Sequence, residues 1–210
     1  MFDYLRDPQE IYRRSFAAIR TEADLSPLPE TLQPLAVRLI HACGLPEIAE
    51  NIAWDGDPVA AGVTALKSGA PVLADVEMVR RGIIRSRLPA DNEVVCTLHG
   101  DGVADSARAQ ATTRSAAALD QWRDRQQGAV VAIGNAPTAL FRLLELLAAG
   151  APKPALILGF PVGFIGAAES KEALIQHAGD IPFVTLRGRF GGSAIAAAAV
   201  NALAIVGEET

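Results

Sequence analysis

From Pro71 onward the chain repeats one pattern five times: a short, nearly continuous apolar run followed by a turn rich in glycine and polar residues. The runs are "PVLAD" (71–75), "EVVCTL" (93–98), "AVVAIG" (129–134), "PALILGF" (154–160) and "PFVTLRG" (182–188). A strand apolar at every position has to be covered on both faces, which is the condition of a parallel sheet. Helical stretches beginning near Asp105, Pro137, Lys171 and Ser193 lie between and after the later runs. This alternation predicts an α/β fold: a mostly parallel central sheet with helices on both faces.

The residues before Pro71 predict a helical N-terminal segment. In "DPQEIYRRSFAAIRTEA", Asp7 is placed to cap a helix with Pro8 in its first turn, and Ile11, Ser15, Phe16 and Ile19 fall near one face. In "PETLQPLAVRLIHACG", Leu35, Leu39 and Ile40 form the stripe and Gly44 ends it. "DPVAAGVTALKSGA" repeats the grammar with Asp57, Pro58 and Gly69. The expectation is one domain over 1–210, mainly helical in 1–70 and alternating in 71–204, with a frayed tail after Ala204. A chain of 210 residues buries roughly 70% of its unfolded surface, so disulfide staples are unnecessary.

Several function classes are disfavoured. A net charge of −5 argues against nucleic acid as a partner, and scarce aromatics argue against a base-stacking platform. No apolar run reaches the ~20 residues of a membrane span without a charge or breaker. Two cysteines and an N-terminus without an apolar signal core fit the cytoplasm. Neither G-x-G-x-x-G after the first run nor G-x-x-x-x-G-K-[ST] occurs. His41 and Cys43 stand two apart, about 200° around a helix, and His99 and His177 are isolated, so no metal site is indicated.

Ligands of parallel sheets sit beyond the carboxyl ends of the strands. The turns there are "ADVEM", "HGDG", "GNAPT", "FPVGFIGAAESK" and "RGRFGGSA". Backbone N–H groups freed in such turns, with helix N-termini beside them, bind anions. The set suggests a ligand with several negative groups.

Six segments carry a more specific message: "VVAIGNAPTALFRLLELL", "PVGFIGAAESKEAL", "TRSAAAL", "IYRRSFAAIR", "VRLIHACG" and "GGSAIAAAAVNALA". Together, over about Asp3 to Ala204, they resemble the precorrin-8X methylmutase family of cobalamin biosynthesis. The resemblance implies an α/β homodimer with active sites at or near the subunit interface. It also implies a near-flat tetrapyrrole substrate bearing many carboxylates, and an isomerisation in which a methyl group moves from C11 to C12 to give hydrogenobyrinate. No cofactor or methyl donor is consumed. "HACG" and "VLADVEM" lean toward the cobalt-free substrate.

By the same resemblance His41 is the proton donor and acceptor, a task suited to a side chain titrating near neutrality. Ser15 takes the place of a substrate-contacting serine whose hydroxyl could fix the histidine or a ring nitrogen. Arg114, a planar fork for a carboxylate, ranks first among the arginines, with Thr113 and Ser115 as flanking donors. Asn135 and Thr138 follow the third strand as donors. Arg187 and Arg189 come second, Arg13, Arg85 and Arg87 are further candidates, and Lys171 is either a helix-start charge paired with Glu169 or a carboxylate clamp. His99 receives no role. Two other readings stay open: a carrier of the same fold that binds the corrin without turning it over, and a nucleotide- or methyl-donor-dependent transferase. The small residues of "SAIAAAAVNALA" suit either a dimer contact or packing within the chain.

Overall fold

The computed structural model describes residues 2–209. Six strands form one sheet in the order β1-β6-β5-β4-β2-β3. They are β1 (Ile52–Asp55), β2 (Val72–Ala74), β3 (Val94–Cys96), β4 (Val130–Ile133), β5 (Leu156–Gly159) and β6 (Phe183–Leu186). Five run parallel, in register Val72↔Val130, Ala132↔Leu158 and Leu158↔Val184, for example. β1 pairs antiparallel with β6, Ile52 opposite Leu186. That strand lies inside the stretch expected to be mainly helical, where no strand was marked. Its four residues, "IAWD", are too short to display a period, and burial against its neighbour decides its conformation.

Strand residues alternate between two cores. Val72, Val130, Leu156, Leu158 and Val184 face one; Leu73, Val131, Ile157 and Phe183 face the other. The first is covered by α2 (Gln33–Cys43), α3 (Pro58–Lys67), α4 (Glu77–Gly82) and α9 (Ser193–Glu209), and the second by α6 (Arg114–Leu119), α7 (Pro137–Ala148) and α8 (Ala167–His177). α5 (Val103–Ala109) packs on α6, and α1 (Pro8–Glu22) on α2.

The caps follow the sequence signals. Asp7 accepts from the Gln9 N–H and Asp57 from the Ala60 N–H, each with proline opening the helix. Gly44 closes α2 at φ 71°, a left-handed conformation that costs glycine nothing. Leu35, Leu39 and Ile40 are buried as expected.

Two expectations need correction. The helix of the "AAESK" segment begins at Ala167, so Lys171 stands inside it and not at its start. The helix after Ser193 runs on to Glu209 instead of fraying at Ala204. Its alanines 196, 197, 199, 202 and 204 are buried within this chain against α2, α3, α4 and the sheet, so that face is not open to a second copy. α1 differs in the other direction: it has no buried residue, and Ile11 is 42% exposed. Only Phe16 and Ile19 lean on the core.

Candidate functional site

His41 lies exposed in the last turn of α2. Three residues earlier Arg38 rises on the same side, and α1 lays Tyr12 and Phe16, one helical turn apart, across both. The Phe16 and His41 rings meet edge to face with centroids 5.3 Å apart; Tyr12 and His41 do so at 5.8 Å. Tyr12 and Phe16 contact one another at 4.2 Å. The Arg38 guanidinium donates to the Tyr12 hydroxyl and stands 5.2 Å from the Phe16 ring centre. The result is a partly open surface of two aromatic rings, one imidazole and one guanidinium.

Sequence reasoning placed His41 but passed over Tyr12, Phe16 and Arg38. Their signal was the spacing: Tyr12 and Phe16 at i,i+4, Arg38 and His41 at i,i+3. Ser15, half-buried on α1, makes no hydrogen bond among the described residues, to His41 or to any other group. The expectation that it fixes the histidine is therefore not met; the aromatic pair occupies that place. Cys43 donates weakly to the Ile40 carbonyl, and burial pushes its thiol above the ordinary range, so it is no activated nucleophile for His41.

A second group of side chains gathers beyond the carboxyl end of β4. Thr113 caps α6, accepting from the Ala116 N–H at 3.1 Å, and shares a 2.7 Å hydrogen bond with Thr138 in the first turn of α7. Arg114 is exposed at the first position of α6, its side chain without an ion pair or hydrogen bond among the described residues. Ser115 beside it is half-buried and the Asn135 side chain is exposed. A cavity of about 350 Å³ adjoins this group between α6 and α7. Its own cation, Arg142, is held by Asp120 at 2.7 Å and by Glu145 at 3.2 Å, whereas Arg114 is unpaired among the described residues.

The backbone of the "GNAPT" turn is not free for an anion. Asp75, 1% exposed just past β2, accepts from the N–H groups of Gly134 (2.9 Å), Asn135 (3.0 Å) and Ala136 (2.9 Å). Burial pushes its carboxyl above the ordinary carboxylate range, while the three N–H bonds pull the other way. The expected anion cradle is thus filled from within. Its signal in the sequence was a carboxylate ending an apolar run, in "VLAD".

Of the remaining candidates, Arg85 and Arg87 lie exposed in the turn Arg85–Arg87, and the others are engaged elsewhere. Arg187 grips Glu172 with contacts of 2.7 and 2.9 Å. Arg189 lies 5.0 Å over the Phe164 ring. Arg13 is paired with Glu10. Lys171 is fully buried, does not pair with Glu169, and donates to the Phe190 carbonyl; burial lowers it to about 8. It ties α8 to the loop after β6. In that loop Gly191 lets the chain pass so close to β5 that a Cβ would stand 2.4 Å from the Phe160 carbonyl oxygen. Among the described residues no group of three or more His, Cys, Asp or Glu side chains could hold a metal ion, and no helix is long and apolar enough to cross a membrane.

Comparison with known proteins gives a consistent result. Residues 10–206 match the family described as precorrin-8X methylmutase. The chain is 58% identical over 204 residues to the precorrin-8X methylmutase of Pseudomonas aeruginosa, covering 97% of this chain and 98% of that one. It is 57% identical to the protein of the same name from a Sinorhizobium species, covering 97% of each. The crystal structure of the precorrin-8X methylmutase of Thermus thermophilus superposes with a TM-score of 0.86 at 36% identity, over 96% of this chain and 97% of the other.

Proposed function

The chain belongs to the precorrin-8X methylmutase family, and from that premise we propose how its surface carries out the isomerisation of precorrin-8X. The observation that carries the reading is His41, solvent-facing and bracketed by Tyr12, Phe16 and Arg38. A near-flat, conjugated ring bearing carboxylates needs apolar faces to lie against, cations at its rim and one titrating group near its centre. This cluster supplies all three.

The methyl group moves from C11 to C12 within one molecule, giving hydrogenobyrinate, so no cofactor has to be bound. The protein selects one tautomer, and His41 takes or returns the proton that permits migration. Tyr12 and Phe16 lie against the ring and Arg38 meets a carboxylate, while Ser15 is placed to donate to the substrate. At the second group Arg114 grips another carboxylate at two points, helped by Ser115, Asn135 and the Thr113–Thr138 pair. Arg187 reaches the substrate only by leaving Glu172. Lys171 serves from below, holding the Phe190 loop. The two similar proteins at 57–58% identity are named for precorrin-8X itself, so the substrate assigned is the cobalt-free one.

We also take the protein to be a cytoplasmic homodimer. α1 exposes Ile11 and Tyr12 beside His41, and a second copy lying over it would put each active site at the subunit interface. The domain is taken as single, over 1–210.

The deciding experiment mixes the purified protein with precorrin-8X and follows the visible spectrum. Migration of the methyl group changes the conjugation, so turnover changes the colour. A stable complex that keeps the spectrum of precorrin-8X would identify a carrier instead.

A further inference from the structure

The sheet order changes direction once. From β2 the chain steps outward to β3, then returns to β4 and proceeds the other way through β5 and β6. The crevice between the carboxyl ends of β2 and β4 is the switch point, where parallel sheets ordinarily receive their ligands. In this chain a protein carboxylate already fills it. Asp75 has its own N–H on the Ala132 carbonyl and both oxygens on the three successive N–H groups of Gly134, Asn135 and Ala136. Among the described residues no cation pairs with it; its oxygens are met by backbone N–H groups alone.

What the turn touches gives this bond its reach. Gly134 is wedged so closely that a Cβ would stand 2.7 Å from Val79 and 2.8 Å from Ser193, so the turn cannot settle toward α4 or α9. The Asn135 carbonyl accepts from the Val162 N–H in the loop after β5. Pro137 then starts α7, and Thr138 in its first turn is bonded to Thr113, the cap that sets Arg114 at the head of α6. A chain of direct contacts therefore runs from Asp75 to Asn135, to the loop bearing Val162, and to Arg114.

Resting on the functional reading above, we infer that Asp75 is a positioning residue for substrate. It seals the backbone anion cradle at the switch point and so fixes where Asn135, Thr138 and Arg114 stand, leaving the carboxylates of the substrate to be met by side chains. Asp75 does not touch the substrate. A small anion gains nothing at this turn, because the N–H groups that would hold it are taken. The ring is thereby held by its widely spaced carboxylates and not by one of them.

The test replaces Asp75 with asparagine, which keeps the shape but turns at least one N–H donor toward another. Steady-state turnover of precorrin-8X is followed at a temperature where wild type and Asp75→Asn are both folded by circular dichroism. A lost hydrogen bond to a buried charge predicts a KM raised about 10- to 100-fold. The fall in kcat should be smaller, since His41 lies on other elements. Wild-type KM in the folded variant overturns the inference, as does a fall confined to kcat; a purely structural role would lower the melting temperature and leave KM alone. Should Asp75→Asn not fold, the wild-type protein decides. On titration with hydrogenobyrinate, the backbone amide resonances of Gly134 and Ala136 should stay in place while the Asn135 side-chain amide moves. Large shifts of the two backbone amides would mean that substrate carboxylates displace Asp75, and would overturn it. Failure of wild type to convert precorrin-8X would sink the functional reading instead, a result separate from either of these.

Discussion

Phe16 presents its ring to the imidazole of His41 at 5.3 Å and 74°, joining α1 to the last turn of α2. α1 has no buried residue, so this contact and its neighbour at Tyr12 are much of what seats the helix. An edge-to-face pair is worth about 0.5–1.5 kcal/mol beyond its buried area. Phe16→Leu keeps apolar bulk and removes the ring. Binding of hydrogenobyrinate, measured by absorbance titration, should weaken roughly two- to tenfold.

His41→Ala should abolish most turnover and leave a folded protein that still binds product. General acid–base assistance is worth ~10²–10⁴-fold, and the loss in kcat should fall in that range. Near-normal conversion by this variant would remove His41 from the chemistry.

Arg114 is unpaired at the head of α6, so its removal leaves no buried carboxylate stranded. Any loss then reports on ligand. A charge-assisted hydrogen bond to a shielded carboxylate contributes roughly 1.5–3 kcal/mol, about one to two decades in affinity. Arg114→Lys should recover only part, because an ammonium lacks the planar fork. Equal affinity in wild type, Arg114→Ala and Arg114→Lys would make Arg114 a solvated surface charge.

Lys171 gives a pH signature. Unfolded, it titrates near 10.5; buried in α8 it titrates at about 8. Between these values the unfolded chain holds the extra proton, so stability contributed at this position rises with pH from about 8 to 10.5. Below pH 8 the native state carries the cost of a buried cation. In thermal melts across this window wild type should gain stability relative to Lys171→Met as pH rises; parallel curves would refute the assignment.

Assembly can be checked at Ile11. If a second copy covers α1, Ile11→Asp should shift the sedimentation profile from dimer toward monomer. Replacing the buried Ala199 by a larger residue should instead lower stability, since α9 packs inside the chain.

The sheet was legible because its five parallel strands are nearly continuous apolar runs separated by turn residues. β1 was not, because four residues have no period and its place depends on pairing with β6, more than 120 positions away. The helix caps at Asp7, Asp57 and Gly44 were legible for the opposite reason: a cap is decided within one turn. At the candidate site, the family resemblance pointed to His41 and Arg114. The partners that surround them come from tertiary packing. Nothing local to "GNAPT" shows that Asp75, about 60 residues earlier, consumes its N–H groups.

The outermost strands also bear on what the sheet does to its neighbours. A parallel sheet assembles from distant segments and leaves two unpaired margins, each a template for a foreign strand. At one margin β1 runs against the others, so β6 becomes an interior strand, and β1 itself stops after four residues at Asp55 and a left-handed Gly56. At the other, β3 spans three residues, and the Arg80 guanidinium donates to the Val94 carbonyl. Each edge is too short, and one is charged as well, to offer an intruding chain a ladder worth extending. A sheet apolar on both faces is thereby kept from recruiting others during folding.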